Sequence, residues 1–308
     1  MPQPMLSDVH IARAISTAAI RYSNPDYIAE RVCPVINVAK ETDKYFIFTK
    51  GDWFRDQAKD DRRPGTRAPR GGYTLSTADY SCKEIAHATP LPDRIRDNAD
   101  EPLRPYEDAA SYSMQMILLR RERRVAAALF TSSTWNGGSD WSGTAWSDFT
   151  GSDPAYDVSV AKETLRTATG QTKFKLLMGA YVMSILKLHP DGLDRFKHVQ
   201  TGVMTPAMVA QWLDVDEIIV GGSVYNSADE GASVTMADIW GKHALLMYVP
   251  ANPSISEPSA AYMFRYNGVR TKRYREEAEE QDVVECATSV DVQRTATDCG
   301  YYFPSVVS

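Results

Sequence analysis

The side chains best suited to chemistry in this 308-residue sequence are five histidines, four cysteines and a carboxylate cluster at Asp214, Asp216 and Glu217. His10, His87, His189, His198 and His243 stand apart, none with a second His or Cys at the short spacing through which a zinc site gathers its ligands. Cys33, Cys82, Cys286 and Cys299 include no C-x-x-C pair, so they read as buried thiols of a reducing compartment and not as a redox or zinc motif. His189 precedes Pro190-Asp191-Gly192 and is the histidine best placed for general-base work, although turn stabilisation is the simpler role for it. The carboxylate cluster stands between a helix and a strand, where acidic turn residues are common, and no metal is expected there. The phosphate-cradling G-x-x-x-x-G-K-[ST] and G-x-G-x-x-G loops, H-E-x-x-H, G-x-S-x-G and the EF-hand loop are all missing from the sequence. No catalytic residue, cofactor or metal is expected.

Recognition is the other chemistry on offer. Trp135, Trp141 and Trp146 lie in a Trp/Ser/Gly-rich stretch over 131–153. Such a loop could hold a sugar or a base, but loop aromatics more often pack the loop onto its own body or onto a neighbouring subunit. Trp53, Trp135, Trp141 and Trp146 are therefore candidates for packing between subunits. A hydrolase or carbohydrate-binding protein using the tryptophan loop and His189 is the alternative from a different class; it lacks an assembled nucleophile, base and orienting group. The segment 51–72 carries Asp56, Lys59, Asp60, Asp61, Arg62, Arg63, Arg67 and Arg70 among Pro64, Gly65, Pro69 and Gly71. It is too long for a hairpin turn and too poor in apolar residues to bury itself, so these charges are expected to meet complementary surface on a neighbouring copy.

The elements that must position these groups follow from periodicity. A short amphipathic helix is predicted over 7–20, and two β-like runs over 32–48 and 73–87, the second with Tyr80, Cys82 and Ala86 on one face, form the arms of a hairpin around the charged segment. Pro105 opens the longest helix, to about 130, with Tyr106, Ala110, Met114, Ile117, Val125 and Leu129 as its apolar stripe. Arg120, Arg121, Arg123 and Arg124 near its C-terminal half read as a solvated face favoured by the helix dipole. A second helix has Asp157 near its N-cap and Gly170 past its end. A strand over 173–183, a short helix to His189, a helix over 205–212 and strands over 217–221, 239–249, 270–280, 282–293 and 301–303 complete a mixed α+β chain. The net charge of -6 at a sequence pI near 5.5 argues against wrapping a polyanion. No apolar window approaches a membrane span and 1–10 lack signal-peptide character, so synthesis in the cytoplasm and no membrane partner are expected.

This order of parts resembles the major capsid protein family of tailed bacteriophages, with the Hong Kong 97-like fold shared by encapsulin compartments. The phrases Leu188-His189-Pro190-Asp191-Gly192-Leu193-Asp194-Arg195-Phe196-Lys197, Gly221-Gly222-Ser223-Val224-Tyr225-Asn226 with Ile239-Trp240-Gly241-Lys242, and Cys299-Gly300-Tyr301-Tyr302 are similar to stretches of such coats. The resemblance implies an N-terminal arm (1–37), an extended hairpin loop (38–90), a peripheral domain (91–185) holding a spine helix, an axial domain (186–265) and a return to the peripheral domain (266–308). It further implies self-assembly into the hexamers and pentamers of an icosahedral or prolate head around double-stranded DNA, in a virion with portal, scaffolding or decoration proteins. Some members cross-link subunits through a loop lysine; Lys50 and Lys59 occupy the corresponding region, but without a recognisable Glu partner they read as solvated or salt-bridged charges. An encapsulin-like cargo shell is the alternative within the same fold.

Overall fold

The computed structural model describes residues 24, 27–48, 50–56, 64–65, 67–68, 70–99, 103–132, 134–135, 141–196, 204–254 and 257–308. The helix expected over 7–20 and the loop residues Lys59, Asp60, Asp61, Arg62 and Arg63 lie outside them. In chain order the elements are α1 (Ala29–Val32), β1 (Val35–Asn37), β2 (Thr42–Phe48), α2 (Lys50–Trp53), β3 (Leu75–Ser81), β4 (Lys83–Pro92), α3 (Asp93–Asp97), α4 (Pro105–Leu129), α5 (Pro154–Thr169), β5 (Lys175–Gly179), α6 (Ala180–Leu188), α7 (Pro190–Phe196), α8 (Pro206–Trp212), β6 (Glu217–Gly221), β7 (Val224–Asn226), β8 (Met236–Asp238), β9 (Ala244–Met247), β10 (Tyr262–Glu276), β11 (Gln281–Gln293) and β12 (Gly300–Phe303). The composition is α+β.

Helix α4 forms because Pro105 occupies a first-turn position that needs no N–H, and the 24 residues behind it contain neither Gly nor Pro. Its buried residues Ala109, Ser113, Ile117, Val125 and Leu129 recur at helical spacing. The expected Ile117, Val125 and Leu129 are buried, but in the first half of the helix the stripe is shifted by one residue, with Ala109 and Ser113 buried and Tyr106, Ala110 and Met114 only half-buried; the wholly buried Glu122 also belongs to the inner face. The stripe lies on a sheet of order β1-β10-β11-β4, where β10 and β11 make a long antiparallel hairpin and β1 runs parallel to the start of β10. The Ser113 and Thr89 hydroxyls join helix to sheet at 2.7 Å.

An ion cluster fastens the first turn of α4 to this sheet. The Tyr106 hydroxyl donates to Asp282 Oδ2 at 2.5 Å, Arg273 and Arg96 donate to the same oxygen at 2.8 and 3.1 Å, and the Arg273 guanidinium stacks 3.8 Å over the Tyr106 ring. The Tyr106 hydroxyl first, then Arg273, holds the Asp282 carboxyl below its ordinary range, and Arg275 does the same for Asp93. Since both folded-state values are lowered, their contribution is whole above the unfolded carboxylate range, about pH 4, and drains away as pH falls through the folded values. Asp282→Asn is expected to flatten the acid limb of a plot of urea midpoint against pH. An acid limb of unchanged steepness would remove the cluster from the account.

The second sheet has the order β12-β9-β5-β6, with β5 parallel to β6 and antiparallel to β9. The parallel pair requires a crossover, supplied by α6, α7 and α8. The strand expected over 173–183 stops at Gly179 because Ala180–Leu188 is apolar on a helical period. Close packing also dictates glycine here: a Cβ at Gly179 would overlap the Gly241 carbonyl oxygen, and one at Gly221 the Trp240 indole. Helix α5 covers this sheet through Val158, Ala161 and Leu165; its N-cap is Asp153, whose carboxylate accepts from Tyr156 N–H at 3.0 Å, and Gly170 closes it at φ 70°. The expected domain cuts after 90, 185 and 265 fall inside β4, α6 and β10 respectively.

Candidate assembly surface

The two β-like runs do form a hairpin, β2 against β3, in the register Thr42↔Ser81 through Phe48↔Leu75. Both arms are shorter than expected: the first begins at Thr42, because Val35–Asn37 joins the first sheet as β1, and the second ends at Ser81. At the buried Cys82 the chain leaves the hairpin and enters the first sheet as β4, and that break changes the facing so that Ile85 is buried and Ala86 exposed. The hairpin root is cemented: the Tyr45 and Tyr80 rings pack on Phe264 at 5.3 and 4.7 Å, and Asp291 accepts from Ser81 N–H at 2.9 Å.

Beyond the root its character inverts. Phe46, Trp53, Phe54, Tyr73 and Leu75 are all exposed, Trp53 by 64% and Phe54 by 67%. Asp52 sets the local turn by accepting from Thr74 N–H at 2.9 Å and from its hydroxyl at 2.6 Å, and Arg55 closes back on Asp52 at 3.3 Å. Those Thr74 bonds keep the Asp52 carboxyl below its ordinary range. The hairpin also touches its own body: Lys50 Nζ lies 2.5 Å from Asp298 and 3.3 Å from the Ala168 carbonyl, and the Phe54 ring lies against Gly170 at the end of α5. Of the expected loop contacts, Asp56, Arg67 and Arg70 are described and exposed. Among the large apolar residues around them only Trp53 was expected at a subunit contact; Phe54, Phe46, Tyr73 and Leu75 were not, although Phe54 beside Trp53 inside a charged segment was a signal available to be read.

Two of the four tryptophans expected between subunits are corrected. Trp135 and Trp146 are buried within the chain, 2% and 0% exposed, where Trp135 Nε1–H donates to the Leu129 carbonyl at 2.9 Å and Trp146 Nε1–H to Asp157 at 2.9 Å. Trp141 is half-buried, edge-on to Trp146 and Phe303. The tryptophans of this loop pack onto its own body, which leaves Trp53 as the one exposed member of the set.

His10 and His198 lie outside the described residues; of the other groups weighed for chemistry, His189, His243, the carboxylate cluster and the cysteines are held structurally. His189 is wholly enclosed, 3.1 Å from Ser152 Oγ and against the Phe149 and Trp212 rings, and burial lowers its pKa. His243 Nδ1 accepts from Ser305 N–H at 3.0 Å, and burial lowers it also. Asp216 accepts from Phe174 N–H at 2.8 Å, Glu217 pairs with Lys175 at 2.7 Å and Arg31 at 2.8 Å, and Asp214 pairs with Lys162. All four cysteines are free and buried, and burial pushes the Cys299 thiol up to about 12. Among the described residues no group of His, Cys, Asp or Glu is arranged to hold a metal ion, and no helix is long and apolar enough to cross a membrane.

One structural residue escaped the sequence reading altogether. The Glu122 carboxylate, in the Arg-Arg-Glu-Arg-Arg run of α4, is wholly buried and accepts from Ile28 N–H at 3.0 Å, Ala29 N–H at 3.0 Å, Trp240 Nε1–H at 2.9 Å and Ser223 Oγ at 3.3 Å. It ties the start of α1, the long helix and the turns beside β6 and β9 into one knot.

No family model matches the chain. It is 30% identical over 272 residues, 85% of this chain and 86% of the relative, to a major capsid protein of Burkholderia phage BcepMu. A crystal structure of a phage-related protein from Bordetella bronchiseptica superposes with a TM-score of 0.69 at 23% identity, covering 92% of this chain and 93% of that one. A chain of the mature capsid of bacteriophage PhiM1 superposes with a TM-score of 0.58 at 11% identity, covering 96% and 91%.

Proposed function

Because the chain belongs to the major capsid proteins of tailed bacteriophages, we propose that it assembles as hexamers and pentamers into the closed wall of a phage head around double-stranded DNA. The observation that carries the mode of assembly is the row of exposed aromatics beyond the hairpin root. A monomeric protein rarely leaves so large an apolar patch open, and a self-complementary system covers it with the next copy. In this reading Trp53, Phe46 and Phe54 pack on a neighbouring subunit while Asp56, Arg67 and Arg70, with Lys59, Asp60, Asp61, Arg62 and Arg63, form the charged rim that sets register. In this reading the arm is shorter than the expected 1–37, since α1 and β1 belong to the body, and the extended hairpin runs from Thr42 to Ser81 instead of over 38–90. The peripheral part is then α4 with the β1-β10-β11-β4 sheet, and the axial part the β12-β9-β5-β6 sheet with its helices, so the domain cuts follow sheets and leave elements whole.

Portal, scaffolding or decoration proteins and synthesis in the host cytoplasm belong to the same reading. The encapsulin-like alternative shares the fold; the 30% identical phage relative favours the phage head. The test is negative-stain electron microscopy of the purified chain with light scattering across a concentration and salt series. Shells, tubes or rings of five or six are expected; a monodisperse monomer throughout would overturn the proposal.

A further inference from the structure

Arg120, Arg123 and Arg124 are exposed on one face of α4, at the i, i+3 and i, i+4 spacings that make side chains neighbours. None of them makes an ion pair with a described residue, whereas Arg121 in the same run pairs with Glu30 at 2.6 Å and is itself largely covered. Positions three and four away from the trio within α4 hold no carboxylate, so the cluster opposes itself on the helix. The dipole does not account for it: the helix continues to Leu129, its last turn holds no basic residue, and the dipole's favour is confined to that turn. The Arg123 guanidinium is preset 4.2 Å over the Tyr225 ring. Self-repelling, partly pre-oriented arginines with no ion-pair partner among the described residues, in a chain of net charge -6, mark a local anion contact.

We propose that Arg120, Arg123 and Arg124 form a phosphate-backbone contact for double-stranded DNA, an assignment of the partner that rests on the capsid reading. Guanidinium groups bind phosphate without reading bases, so the contact is independent of sequence. The acidic balance of the rest of the chain keeps each contact weak, and a shell multiplies it by repetition.

The experiment measures binding of a fluorescent random-sequence DNA duplex to the purified chain, before and after assembly, across a salt series. The comparison is with the Arg120→Gln/Arg123→Gln/Arg124→Gln variant, and particles are counted by electron microscopy. Three neutralised phosphates give a slope of log affinity on log salt of about -2.7 per chain. The triple variant is expected to assemble normally, lose at least about tenfold in duplex affinity and lose most of that slope. Unchanged binding and slope in the variant would overturn the proposal, as would a wild-type chain that does not bind. A variant that binds the duplex as before but loses affinity for polyglutamate would also overturn it, in favour of an acidic protein segment. Failure of the capsid reading is seen separately, as absence of particles with duplex binding still measurable on the unassembled chain.

Discussion

Glu122→Ala is expected to destabilise the chain by more than about 3 kcal/mol, because each buried donor left without a partner costs about 1–3 kcal/mol. The carboxylate receives two backbone N–H groups at the start of α1, the Trp240 indole N–H and the Ser223 hydroxyl, all at or below 3.3 Å and sealed from water. Alanine removes every acceptor at once. Glu122→Gln keeps the shape and one carbonyl oxygen but turns an amide NH₂ toward at least one N–H, so it is expected to cost about 1–3 kcal/mol. The buried charge also helps to push the neighbouring Cys33 thiol up, which burial alone already does. Urea midpoints of the two variants against the wild type measure both effects. If both lay within about 0.5 kcal/mol of wild type, the range of ordinary surface substitutions, the knot would be of no energetic consequence.

That residue also shows where sequence reading stops. The long helix was legible because Pro105 and an unbroken run of helix formers announce it, and the hairpin was legible because Tyr45-Phe46-Ile47-Phe48 and Tyr73 to Ser81 are β-rich on both sides of a charged gap. Burial of Glu122 was not, since a glutamate between two arginine pairs is on its face a solvated residue. Its partners come from positions 28, 29, 223 and 240, contacts that only the folded topology creates. A second buried polar residue, Ser113, explains why an apolar-only stripe was drawn one residue out of phase in the first half of α4, though in phase from Ile117 onward.

The β regions failed in a related way. Period-2 alternation continued smoothly through Cys82 in the sequence, yet the backbone changes sheets there, so the parity of inward residues changes between Tyr80 and Ile85. The tryptophan loop was rightly read as a packing loop, but sequence could not say against which surface. The answer for Trp146 lies in its bond to Asp157 and its packing on Phe303, 157 residues further along the chain. Of the candidate site, the charged segment and Trp53 were legible in the sequence, while the exposure of Phe46, Phe54, Tyr73 and Leu75 was not, since alternation alone reads such residues as core.

Those aromatics carry the second large effect. Trp53→Ser/Phe54→Ser is expected to raise the concentration needed for assembly by at least about 100-fold while leaving the fold intact. Burying one large aromatic against a neighbour contributes about 1.5–3 kcal/mol, and each 1.4 kcal/mol is about tenfold in an equilibrium constant, so losing two at every subunit contact exceeds about 100-fold. The fold is spared because both side chains are about two-thirds exposed in the single chain, with Trp53 6.2 Å from the Tyr73 ring and Phe54 lying against Gly170. Arg67→Ala/Arg70→Ala is the informative contrast. Rim charges steer encounter and are screened, so that variant should assemble more slowly at low salt and converge on wild type as salt is raised. The aromatic variant should remain deficient at every salt concentration, since apolar burial is not screened. Light scattering against protein concentration at low and high salt, with thermal melts as the folding control, separates the two. An aromatic variant that melts like wild type and assembles at wild-type concentration would show that the hairpin's exposed aromatics are not what joins one copy to the next.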